Sequence, residues 1–132
     1  WHLTEFDEHR GVQIAIKKIN SVYSATPAMW EKDTSPEGFH WLVGADGDGN
    51  TLAFARWSDS GECLVAITNF SPVPHESYSL PLPFAGKWIE VLNTDDLAFG
   101  GSGVTNSSID SIEGSATTLR LPPLATVWLK RL

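Results

Sequence analysis

The chain has 132 residues, 42% of them apolar and 19% charged, with a net charge of −7, one cysteine and six tryptophans. That length holds one domain with a real core but excludes a complete (β/α)₈ barrel, which needs about 250 residues. Nine Lys and Arg against sixteen Asp and Glu make a surface that repels phosphate backbones and anionic headgroups, so neither nucleic acid nor a membrane is an expected partner.

In chain order, residues 8–25 read as a helix, with Val12, Ile16, Ile19 and Tyr23 forming one apolar stripe and Pro27 ending it. Ile14 and Val22 widen the apolar surface, so more than one face has something to cover. Asp33 to Gly38 is a connector in which the period changes from 3.6 to 2, and the domain boundary is placed there. The expected organisation is a helical segment over 1–33 and an all-β domain over 34–132.

Beyond the connector, short apolar runs alternate with turn signals, the pattern of an antiparallel sandwich or barrel. Candidate strands are 39–44, 50–57, 62–69, 76–82, 86–92, 116–121 and 124–131. Asp46-Gly47-Asp48-Gly49-Asn50 and Asp59-Ser60-Gly61 supply hairpin turns. Pro72, Pro74, Pro81 and Pro83 bracket the fourth strand and make it an edge, since proline cannot donate to a ladder. Phe99 to Gly103 is a loop, and 104–113 fits no single assignment.

Chemistry-bearing patterns are few. Asp95-Asp96 is the one adjacent acidic pair of the β region, but a glycosidase needs two carboxylates facing one another, and a capped turn explains the pair better. Asp46, Asp48 and Asn50 occupy positions 1, 3 and 5 of a calcium loop, yet Thr51 and Trp57 stand where glycine and glutamate are required. His2, His9, His40 and His75 lack zinc-ligand spacing. Gly101-Ser102-Gly103 is followed by Val104, which breaks a nucleophile elbow. Asn69-Phe70-Ser71 and Asn106-Ser107-Ser108 match a glycosylation tripeptide that chance also produces. The sequence therefore assigns no catalytic residue, no metal ligand and no cofactor.

Cys63 is alone in an apolar run, which excludes an intrachain disulfide and fits a reducing compartment. No apolar run is long enough to span a bilayer, and no segment reads as a signal peptide. A start at Trp1 rather than Met suggests an excised piece of something longer.

The tryptophans carry the remaining signal. Trp41 alternates with Phe39 and Val43 and is expected in the core. Trp57, Trp88 and Trp128 fall on the more polar or smaller-residue side of their strands, where an indole packs on a neighbouring helix or domain or stacks on a sugar face. These three are the candidate barrel-packing or glucan-contact residues.

Several blocks together carry a family likeness: Trp1-His2-Leu3, His9-Arg10-Gly11-Val12-Gln13, Pro36-Glu37-Gly38-Phe39-His40-Trp41, Thr68-Asn69-Phe70-Ser71-Pro72-Val73-Pro74 with Tyr78, Gly86-Lys87-Trp88, Val91-Leu92-Asn93-Thr94-Asp95, Gly100 to Gly103, and Leu119-Arg120-Leu121-Pro122-Pro123-Leu124-Ala125-Thr126. In this order they resemble the C-terminal part of bacterial 1,4-α-glucan branching enzymes of the α-amylase superfamily. Ile14-Ala15-Ile16-Lys17-Lys18 and His75-Glu76-Ser77 depart from the usual pattern, on surface and packing rather than chemistry.

The resemblance implies a mainly β chain, an antiparallel β-sandwich preceded by one amphipathic helix, from a cytoplasmic enzyme that forms α-1,6 branches in glycogen. Its Asp nucleophile, Glu acid/base and second Asp belong to an upstream barrel and match no position here. The implied partners are that barrel and α-glucan (glycogen, amylose). Because the barrel would be missing, self-association of the fragment through Val12, Ile16, Ile19 and Tyr23 is a further expectation.

Overall fold

The computed structural model describes residues 2–132; Trp1 lies outside the described residues. Helix α1 spans Asp7–Ser24, and a short 3-10 helix at Pro27–Met29 follows it. Eight strands come next: β1 Phe39–Asp46, β2 Thr51–Trp57, β3 Cys63–Asn69, β4 His75–Leu80, β5 Gly86–Asn93, β6 Ile109–Ser111, β7 Thr117–Leu121 and β8 Ala125–Arg131. The short strand β6 is what the ambiguous stretch 104–113 contains.

Six strands form one antiparallel sheet in the order β1-β2-β3-β8-β5-β6, and β4 pairs with β7 in a second. With only β7 beside it, β4 is an edge strand, as its flanking prolines require. The core lies between the sheets, built from Ala53, Ala55, Cys63, Val65, Ile67, Trp88, Val127 and Leu129 on the large sheet and Leu80, Leu119 and Leu121 on the small one. Alternation along β2, β7 and β8 delivers these residues to one face. The chain is thus mainly β and antiparallel, with one long helix.

The turns hold through side-chain bonds. In the β1–β2 hairpin, Asp46 accepts the Gly49 N–H at 2.9 Å and the hydroxyls of Thr51 and Tyr78 at 2.6 and 2.8 Å. Tyr78 belongs to β4, so this cluster also ties the small sheet to the large one. The Thr51 hydroxyl, then the Gly49 N–H and Tyr78, hold the Asp46 carboxyl below the usual carboxylate range. The would-be calcium loop is a hairpin whose first carboxylate is already engaged by protein donors.

Three tryptophan expectations are corrected. Trp41 is 51% exposed rather than in the core. It pairs with Phe54, whereas Val43 pairs with Ala53, so an irregularity between them adds a residue and turns Trp41 to the opposite face. Trp88, expected on a polar side, is 1% exposed inside the core, with its indole N–H donating to the Phe84 carbonyl at 3.1 Å. The apolar side of β5 that suggested otherwise, Ile89 and Val91, faces a groove beside α1. Trp57 does share the face of Ala53 and Ala55, but that face is the core, and Trp57 packs half-buried against it and near Phe84. Two alanines leave the space an indole fills.

Helix α1 also turns differently from its predicted stripe. Gly11 and Val22 are buried and Ala15 and Ile19 partly so, while Val12, Ile16 and Tyr23 are 61%, 53% and 42% exposed. The inward face is thus set one residue earlier along the chain. Gly11 makes this possible, because a Cβ there would lie 2.5 Å from the Phe99 carbonyl oxygen. Glycine inside a helix costs about 1 kcal/mol relative to alanine, and here it permits that close approach.

Candidate functional site

The acidic pair Asp95-Asp96 is taken up in holding its own loop. Asp95 is buried and accepts the Ser102 N–H at 2.8 Å, the Ser102 hydroxyl at 2.7 Å and the Val104 N–H at 2.9 Å. Burial by itself would raise its carboxyl, but these donors outweigh burial and hold it below the usual range. Asp96 caps the 3-10 helix Leu97–Phe99 by accepting the Ala98 N–H at 2.8 Å. The acidic pair is therefore a capped turn, with Ala98 and the run Gly101-Ser102-Gly103-Val104 supplying its donors.

Asn69 and Asn106 are structural as well. Asn69 is buried and donates to the Val73 and Pro122 carbonyls, and Asn106 joins Glu90 to the backbone of Arg120. Burial pushes the Cys63 thiol up to about 12, so it is no nucleophile. Among the described residues no group of three or more His, Cys, Asp or Glu could hold a metal.

What the molecule offers instead is surface. The face of the large sheet turned away from β4 and β7 carries Trp41, Phe54, Ala66 and Trp128 in one row, since each pairs with the next across β1, β2, β3 and β8. Pro27–Met29 lies against β2 and β3, where Leu64, Ala66 and Ala28 are buried. At the β1 end the cover stops. Phe39, Trp41 and Phe54 form an aromatic cluster there, with Phe39 stacked on Phe54 at 5.3 Å and Trp41 edge-on to both at 4.9 and 6.1 Å. Trp41 and Phe39 are exposed, and the Trp41 ring lies within ordinary contact distance of where a Gly44 Cβ would stand.

Of the three tryptophans singled out from sequence, only Trp128 sits on this face, half-buried, while Trp57 and Trp88 belong to the other side of the sheet. The cluster around Trp41 was missed because the irregularity in β1 leaves no mark in the alternation. A second uncovered surface is the stripe of α1, where Val12, Ile16 and Tyr23 project away from the sandwich.

Residues 41–131 match the family model for the α-amylase C-terminal all-beta domain. The chain belongs to that family. As a member of the α-amylase C-terminal all-beta domain family it has relatives that align beyond residues 41–131, through α1 and the connector. It is 45% identical over 137 residues to the 1,4-alpha-glucan branching enzyme GlgB of Burkholderia pseudomallei, 42% over 139 residues to that of Thermobifida fusca and 44% over 137 residues to that of Leifsonia xyli. Each alignment takes in 98% of this chain, but the chain spans only 18–19% of these relatives' length. No helix among the described residues is long and apolar enough to cross a membrane.

Proposed function

We propose that the chain is the non-catalytic C-terminal domain of a cytoplasmic bacterial 1,4-α-glucan branching enzyme, bracing the catalytic barrel against which α1 packs. The observation that carries this reading is the uncovered stripe of α1, Val12, Ile16 and Tyr23, on a chain one fifth as long as relatives named branching enzymes. Three large apolar residues along one helix face need a partner, and the rest of a longer chain is the available one. On this reading residues 1–33 are the end of the barrel and 34–132 the accessory domain. The half-buried Trp128 remains a candidate for barrel packing, whereas the burial of Trp88 and the inward face of Trp57 speak against both for that role.

The branching reaction itself would be a double displacement run by carboxylates outside this chain. The isolated chain should therefore leave the absorbance of an amylose–iodine complex unchanged over hours at micromolar concentration. Measurable branching by the purified chain would overturn the reading.

A second reading, contact with α-glucan, is favoured by the aromatic cluster Phe39, Trp41 and Phe54. Exposed rings on a rigid strand can stack on sugar faces without any titrating group. Millimolar maltoheptaose should quench tryptophan fluorescence of the chain, and Trp41→Ala should abolish that response while leaving the fold intact. An unchanged spectrum at millimolar sugar would remove this reading and leave the brace.

A further inference from the structure

The segment between α1 and β1 looks like a linker in composition, but it is bonded along its length. Thr26 and Ala28 are buried, and consecutive turns close through Met29 N–H to Thr26 O, Glu31 N–H to Pro27 O, Ser35 N–H to Lys32 O and Gly38 N–H to Ser35 O. Side chains then fasten it to the sandwich at two places. The Arg56 guanidinium, on the outer face of β2, donates through Nε to the Gly38 carbonyl at 3.0 Å and through Nη2 to the Asp33 carboxylate. At the β2–β3 turn, the Asp59 N–H donates to Glu31 at 2.9 Å and the Lys32 ammonium stands 3.4 Å from the Asp59 carboxylate. Gly38 is buried so close to Lys32 that a Cβ would lie 2.4 Å from it.

We infer that this connector is a rigid mount, anchored by Arg56, that together with the Gly11–Phe99 approach fixes the exposed face of α1 relative to the sandwich. Arg56 suits the task because its planar fork can hold a carbonyl and a carboxylate at once, and its side chain is only 18% exposed. The two attachments hold opposite ends of α1. Gly11 meets Phe99 near the helix start, whereas past the helix end the chain first buries Thr26 and Ala28 and is then held by Arg56 farther along, at Asp33 and Gly38. A face held at both ends is presented to a partner already ordered, so association loses less conformational freedom. The mount consists of contacts within this chain and holds whether or not a barrel covers the stripe.

Amide hydrogen exchange of the whole 132-residue chain tests it with two variants. Arg56→Gln removes the anchor from the sheet side, and Asp33→Asn weakens it from the connector side without altering β2. Both should speed exchange across residues 26–38 at least tenfold while amides of β3 and β8 stay within twofold of the parent. Unchanged rates in the connector, or equal acceleration in β3 and β8, would overturn the mount, the first because Arg56 anchors nothing and the second because it merely supports the sheet.

Discussion

Replacing Trp88 by alanine should cost about 3–5 kcal/mol of folding stability, against a total of about 5–15 kcal/mol for a domain of this size. The indole is 1% exposed, is among the largest fully buried side chains and packs with the core between the sheets, so truncation removes apolar burial and leaves a cavity. It also withdraws the N–H that satisfies the Phe84 carbonyl, leaving that acceptor without its donor. Trp41→Ala is the matching control. That ring is half in water and packs on Phe39, Phe54 and the β1 backbone near Gly44, so its loss should cost less than about 1 kcal/mol. Urea denaturation followed by far-ultraviolet circular dichroism separates them, with Trp88→Ala shifting the midpoint several times further or failing to fold. Equal midpoints would mean that the core does not depend on Trp88.

The contrast between these two tryptophans also marks where sequence reasoning stops. Periodicity located α1 to within one residue at each end and placed the hairpins, because Asp46, Asn50 and Gly61 announce turns through local chemistry. The positive φ of Asn50 and Gly61 is the conformation those residue types tolerate. Alternation also separates the two sides of a strand correctly, as along β8, where Ala125, Val127 and Leu129 face in and Trp128 faces out. It fails where the pairing register shifts, between Trp41 and Val43, and along β5, where the apolar Ile89 and Val91 face a groove beside α1 while Trp88 fills the core. An inward Gly-x-x-x-Ala on α1 is likewise quieter than the outward Val12 and Ile16, because close approach needs small residues and an apolar stripe needs large ones. The missed aromatic cluster follows from the first of these failures, since its neighbours are fixed by a register that only pairing reveals.

Asp95→Asn should destabilise the chain by about 3 kcal/mol at neutral pH, the second large effect. The carboxylate takes three donors, two backbone N–H groups and one hydroxyl, and an amide places its own N–H₂ against at least one of them. The loss reaches beyond the turn, because the loop that Asp95 organises holds Phe99, on which Gly11 of α1 rests. Gly101 shows how closely the loop wraps the residue, since a Cβ there would fall 2.2 Å from the Asp95 backbone. The effect is pH-dependent with a definite sign. The folded-state carboxyl titrates below its ordinary value of 3.8, so its contribution is fully present above that value and disappears as pH falls through the folded-state value. The gap between parent and variant should thus be constant from pH 8 to about pH 5, then narrow on acidification below the ordinary carboxylate range. Urea midpoints across that series, with exchange rates at the start of α1, test both halves of the argument. A gap that does not narrow in acid would show that Asp95 acts through shape rather than charge, and protection of α1 identical in parent and variant would detach the helix from the loop.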